Sequence, residues 1–138
     1  MTLLDDDIRT FLQQPLIARM STIGEDGYPH TVPVWYMLDG DDLVMFSVPN
    51  LRKLRNIAAN PKGALCIGGD PADKPAQYIP GYLFQGDFTV EDDPALVISK
   101  RVSRRYIADP EESDRTVDGW GPMVVARLQI RKVIRAAG

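Results

Sequence analysis

The chain has 138 residues, 44% hydrophobic and 25% charged, enough for one domain with a core of its own. A formal net charge of −3 gives no general attraction to nucleic acid, and one cysteine with one histidine cannot form a zinc cluster. No apolar run is long enough for a membrane span, and the acidic start, Met1-Thr2-Leu3-Leu4-Asp5-Asp6-Asp7, lacks the basic-then-apolar order of a signal peptide, so the expected compartment is the cytoplasm.

Residues 2–14 predict an amphipathic helix with Thr2 as N-cap, Leu4, Ile8, Phe11 and Leu12 on one face, and Pro15 as its stop. The Asp5-Asp6-Asp7 triplet suits a helix's first turn better than a metal site. Residues 16–22 read as a first strand, followed by the turn Gly24-Glu25-Asp26-Gly27. A second strand covers 29–38, closed by Asp39-Gly40-Asp41-Asp42, and a short apolar third covers 43–47, so the three form an antiparallel meander. The second strand is apolar on both faces: Val32, Val34, Tyr36 and Leu38 point one way, Pro33, Trp35 and Met37 the other. A half-exposed strand would carry one polar side, so a partner subunit or a ligand is expected against its outer face. Pro33 donates no ladder hydrogen bond, so pairing should be interrupted there, freeing nearby backbone groups.

Residues 50–60 read as a short helix capped by Asn50, with Leu54, Ile57 and Ala58 inward, broken by Pro61-Lys62-Gly63. A fourth strand at 64–67 contains the single cysteine, Cys66, read as a buried small hydrophobe. After a loop at 68–75, a fifth strand covers 78–90, kinked at Pro80-Gly81 or bulged near Gly86. Asp93-Pro94 starts a helix that Ala95, Ile98, Val102 and Tyr106 carry to Ile107, and a polar loop covers 108–121. The final strand, 123–134, alternates, with Val124, Ala126, Leu128 and Ile130 opposite Arg127, Gln129 and Arg131. Six strands and three helices with tight turns predict a single mainly β domain, an antiparallel barrel closed or nearly closed with helices at its edges.

The most informative segment is Ser47-Val48-Pro49-Asn50-Leu51-Arg52-Lys53. Cations at Arg52 and Lys53 oppose the macrodipole of the helix they open, by about 0.3–1 kcal/mol each. An anion at that end would remove the conflict, since free N–H groups, two cations and the Ser47 hydroxyl would converge on one phosphate. The alternative is that both side chains extend into water at little cost.

Three stretches in order resemble the pyridoxamine 5′-phosphate oxidase-like superfamily: Met20-Ser21-Thr22, then Gly27-Tyr28-Pro29-His30-Thr31-Val32-Pro33-Val34-Trp35, then Arg52-Lys53-Leu54-Arg55-Asn56 followed by Asn60-Pro61. The resemblance covers residues from about 8 to 90 and, beyond that, only the order of elements. It implies a homodimeric split β-barrel with an FMN in each of two grooves between subunits. It implies that Arg52 and Lys53 grip the cofactor phosphate, with Ser47 at the phosphate or ribityl chain. It implies that the backbone of Thr31, Val32, Pro33 and Val34 meets the isoalloxazine ring, and that Gln85 supplies an amide to the ring. Trp35 and Tyr36 read as core or interface aromatics, Arg55 and Asn56 as cofactor contacts or helix surface, and His30 as structural.

The chain departs from the true oxidase at its end, Ile130-Arg131-Lys132-Val133-Ile134-Arg135-Ala136-Ala137-Gly138, where the expected histidine is missing, so vitamin B6 oxidation is not expected. Arg127 and Arg131 form a polar face that could reach a cofactor across the dimer. The leading expectation is a flavin-dependent oxidoreductase acting on a small molecule, needing no nucleophile or acid–base dyad. The pattern Lys53-x-Arg55-Asn56 also resembles the deazaflavin-using branch. A non-enzymatic flavin carrier or sensor, and a haem-binding relative with His30 as ligand, stay open as alternatives.

Overall fold

A computed structural model describes residues 3–69 and 81–136. Asp5 starts the first helix, its carboxylate accepting from the Ile8 N–H at 2.9 Å, and α1 (Asp6–Leu12) follows, burying Ile8, Phe11 and Leu12. The expected cap, Thr2, lies outside the described residues. The strands are β1 (Ala18–Ile23), β2 (Pro29–Val34), β3 (Met37–Asp39), β4 (Asp42–Ser47), β5 (Lys62–Ile67), β6 (Gly81–Asp92) and β7 (Val124–Ala136). Helix α2 (Arg52–Ala59) separates β4 from β5, while α3 (Val97–Ser103) and α4 (Pro110–Trp120) fill the connection from β6 to β7.

All seven strands form one antiparallel sheet in the order β2-β1-β5-β6-β7-β4-β3. This corrects the expected six strands, and of the two forms expected, closed or nearly closed, it excludes the closed one. The expected second strand divides at Trp35-Tyr36, because its first half pairs with β1 and its second with β4. The two edge strands are thus consecutive in the chain, and the sheet curls until its ends meet at one corner with no ladder between them. Inside the curl, Met20, Leu43, Met45, Leu65, Ile67, Phe84 and Leu128 are fully buried, closed below by α1 and by Leu54 and Ile57 of α2.

The alternation read along residues 29–38 is retained across the break. Val32, Val34, Tyr36 and Leu38 join the inner core; Trp35 and Met37 join a second cluster with Val44, Val102 and Val125. Helix α3 supplies Val102, so part of the outer apolar face is covered within the chain rather than by a subunit or ligand. Pro33 stays exposed. Nor does it interrupt pairing, because the register with β1 runs unbroken from Ala18↔Val34 to Ile23↔Pro29. β2 has no second neighbour, and proline is tolerated where the missing N–H would face an unpaired edge.

Other expectations shift for local reasons. Leu51, with no side-chain hydrogen bond, takes the N-cap position of α2, and Asn50 instead adopts a left-handed backbone with φ 67°. Ala58 is exposed, and Asn56 is buried in its place, donating to Thr22 Oγ1 at 3.0 Å. Cys66 is only half-buried. The expected bulge falls at Gln85/Gly86, where a Cβ on Gly86 would run into the Gln129 carbonyl oxygen. The alternative kink site at Pro80 lies outside the described residues, as do 78–79 of the expected strand. The helix expected from Asp93 begins later: the buried Asp93 carboxylate accepts from the Ser99 N–H at 2.8 Å and Ser99 Oγ at 2.7 Å. The expected loop at 108–121 is largely α4, opened by Asp109 as cap, Pro110, and acidic Glu111 and Glu112.

Candidate functional site

The corner where β2 passes into β3 holds a cavity of about 450 Å³ lined by Ile17, Pro33, Val34, Trp35, Phe46, Lys53 and Trp120. That volume lies in the range of ligand clefts, and its walls are aromatic and aliphatic with one charged group. Trp35 stacks on Tyr106 at 4.8 Å with the rings 3° apart, and Trp120 stacks on Phe46 at 5.9 Å. Lys53 is half-buried, has no acidic neighbour in the lining, and burial lowers its pKa below the ordinary lysine value. A desolvated ammonium without a carboxylate is poised to receive an anion.

The edge of β2 lies beside that charge. Pro29, Thr31 and Pro33 occupy alternate positions, and the two prolines mark these as the positions facing away from β1. The Thr31 N–H and the carbonyls of Pro29, Thr31 and Pro33 therefore face an edge with no ladder partner. The Thr31 side chain turns to β1, with Oγ1 2.9 Å from Ser21 Oγ.

The corner itself is pinned by α3's C-terminal side. Arg105 donates to the Tyr36 carbonyl, to Leu12 O at 2.9 Å and to Gln14 O at 3.0 Å, with its guanidinium 4.8 Å from the Tyr36 ring centre. The Tyr36 hydroxyl donates to Gln14 O at 2.7 Å, and burial pushes its pKa up to about 12. The Tyr106 hydroxyl donates to Leu16 O at 2.7 Å and accepts from the Tyr36 N–H at 3.3 Å. The Tyr106 ring, and with it Trp35, is thereby held in place.

Of the residues expected at a site, the cavity brings together Pro33, Val34 and Lys53. Val32 is half-buried toward the core and Thr31 lies on the adjoining edge. Arg52 turns instead to a separate hollow of about 240 Å³ with Glu25, Asp26, Arg55 and Asn56. Ser47 is buried at the end of β4, its hydroxyl donating to Val48 O at 2.8 Å. Gln85 does not line the Lys53 cavity and lies instead at hollows near Lys62 and Gly63. His30 Nδ1 is buried with no hydrogen-bond partner among the described residues. Arg127 is held by Asp39 at 2.9 Å, Asp42 at 3.2 Å and Glu91 at 3.0 Å, and Arg131 by Asp87 at 3.1 Å. Ile17, Phe46 and Trp120 were not foreseen; the Asp109-Pro110-Glu111-Glu112 signal would have located α4 and its terminal Trp120.

The sequence profile described as pyridoxamine 5′-phosphate oxidase matches residues 4–135. An F420 reductase shares the fold with a TM-score of 0.71 at 23% identity, over 91% of this chain and 94% of its own. Protein Rv2991 of Mycobacterium tuberculosis gives a TM-score of 0.76 at 22% identity, over 95% and 82%. General Stress Protein 26 of Bacillus anthracis gives 0.67 at 15%, over 94% and 91%. At these identities the likeness establishes the fold. No curated protein sequence matches the chain. Among the described residues no helix is long and apolar enough to cross a membrane, and no group of three or more His, Cys, Asp or Glu could hold a metal.

Proposed function

This chain belongs to the pyridoxamine 5′-phosphate oxidase family, and from that premise we propose that it is a flavin-type oxidoreductase whose cofactor lies in the Trp35–Trp120 cavity with its phosphate toward Lys53. The observation that carries the reading is the half-buried Lys53, without an acidic partner among the described residues, at an aromatic cavity beside the open β2 edge. The residues fit the group: Lys53 offers the charge for a phosphate, Pro33, Val34 and Trp35 a wall for a flat ring, and the Thr31 N–H and neighbouring carbonyls a polar edge. When bound, such a cofactor supplies hydride acceptance and return. The chain's part is to bind and orient, and the aromatic walls exclude water from one face of the site. Arg52 reaches a different hollow and would act on the phosphate only from outside the cavity, so Lys53 carries the larger share.

A homodimer completes the reading. The outer side of β5, β6 and β7 carries Cys66, Leu83 and Ile134 in one cross-strand row, half-buried or exposed, which a second copy would cover.

Deazaflavin is the second cofactor reading, favoured by the structural likeness to an F420 reductase. The spectrum of the purified protein, followed by titration with FMN and with F420, tests the proposal. Micromolar or tighter binding of either one, weakened by Lys53→Ala, is expected. Binding of neither ends the reading. Tight binding without turnover by nicotinamide donors and a panel of acceptors would make the protein a carrier or sensor.

A further inference from the structure

Both tryptophans of the chain line this one cavity, and they are held in different ways. Trp35 is fixed from behind, because its ring lies parallel on Tyr106, whose hydroxyl is tied to Leu16 O. Trp120 meets other cavity walls by ring contacts, 5.9 Å to Phe46 and 6.3 Å to Trp35, and stays 46% exposed. It is the last residue of α4, and Gly121 at φ 86° ends the helix directly after it.

Helix α4 does not need Trp120 for its own seating. Val117 is fully buried, Ser113 Oγ donates to Ser103 Oγ at 2.7 Å, Lys100 pairs with Asp118 at 3.0 Å, and Arg104 Nε donates to Asp114 at 2.9 Å. A large aromatic side chain that does not anchor its helix, yet overhangs a cavity of ligand size, is placed for a molecule that comes and goes.

We propose that Trp120 stacks on the planar ring of the molecule bound in this cavity. The inference rests on the reading that the cavity takes a flavin or a deazaflavin. Trp35 presents a fixed wall, whereas Trp120 supplies an adjustable one at the solvent side. Binding of the ring therefore draws on Trp120, and binding of the phosphate on Lys53.

The experiment separates ring from phosphate with two ligand pairs: FMN with riboflavin, and F420 with its phosphate-free deazariboflavin. In the better-binding pair, Trp120→Ala is expected to weaken both members by the same factor, about five- to tenfold, with Trp120→Phe within about twofold of wild type. Lys53→Ala is expected to weaken only the phosphorylated member. In a Trp35→Phe protein, where emission comes from Trp120 alone, the phosphate-free ligand should quench that emission; this reading does not depend on how well Trp120→Ala folds. Unquenched emission, or a Trp120→Ala protein that binds both members like wild type, overturns the assignment of Trp120 while leaving the cofactor reading intact. Loss confined to the phosphorylated member also overturns it. A wild-type protein that binds neither pair removes the cofactor reading and this inference together.

Discussion

Replacing Arg105 by Met tests whether one guanidinium holds the corner on which the cavity depends. Gln14 O loses one donor but keeps the Tyr36 hydroxyl and the Leu16 N–H, so it stays satisfied. Leu12 O and Tyr36 O lose the side-chain donor that reaches them, at the end of α1 and between β2 and β3. Each half-buried carbonyl left without a donor costs about 1–1.5 kcal/mol, and the lost cation–π contact with Tyr36 about 0.5–1 kcal/mol. Relief from desolvating the guanidinium returns part of this, so the net loss should be about 2–3 kcal/mol. For a chain of this size that lowers Tm by roughly 6–12 °C. Urea unfolding and calorimetry measure both quantities. Arg105→Lys, which reaches fewer carbonyls, should fall between wild type and Arg105→Met. A double-mutant cycle with Tyr36→Phe should show coupling, since both side chains meet at Gln14 O. A loss below about 0.5 kcal/mol for Arg105→Met would refute the view that these bonds fasten the corner.

Three further outcomes follow from other residues. Lys53 has a depressed pKa in the folded chain through burial, so its protonated form costs stability until pH rises through that depressed value toward the ordinary lysine range, where the cost is relieved. Ligand-free wild type should therefore gain Tm relative to Lys53→Met over that alkaline window, and parallel Tm–pH curves would contradict the assigned burial. Gly86→Ala drives a methyl group into the Gln129 carbonyl and should cost about 3 kcal/mol in urea unfolding; a loss under 1 kcal/mol would mean that the bulge relaxes freely. Asp93→Ala removes two buried acceptor contacts to Ser99 and should cost about 2 kcal/mol, with Asp93→Asn recovering roughly half, as read by the same denaturation.

Much of this architecture is legible in local sequence. Alternation along residues 29–38 and 124–130 assigns inner and outer faces correctly, because period two survives whichever strand is the partner; past the bulge at Gln85/Gly86 it slips by one, so that Val133 packs on the core and Ile134 lies outside. What alternation does not carry is the identity of that partner. The division at Trp35-Tyr36 depends on Arg105 and Tyr106, some seventy residues away, taking up the backbone groups that a ladder would otherwise use. Helix α4 was hidden for a different reason: Val117 is its one buried large apolar side chain, so its signal lies in the cap and the proline rather than in periodicity. At the site, Lys53 is legible from charge placement at the start of α2, whereas its divergence from Arg52 follows from the angle between adjacent helical positions once Leu54 is turned inward. Trp120 reaches the cavity only through the packing of α4 on α3, which no local pattern encodes.

Because β2 and β3 follow one another in the chain, the seam of this curled sheet is stitched by covalent bonds at one end and by side chains elsewhere. Widening it breaks no strand pairing; it stretches the grip of Arg105 and Tyr106 and leaves every ladder whole. Breathing at the seam is therefore separated from global unfolding, so the amide protons of Trp35 and Tyr36 should exchange with solvent far sooner than those of β5 and β6 in the same molecule.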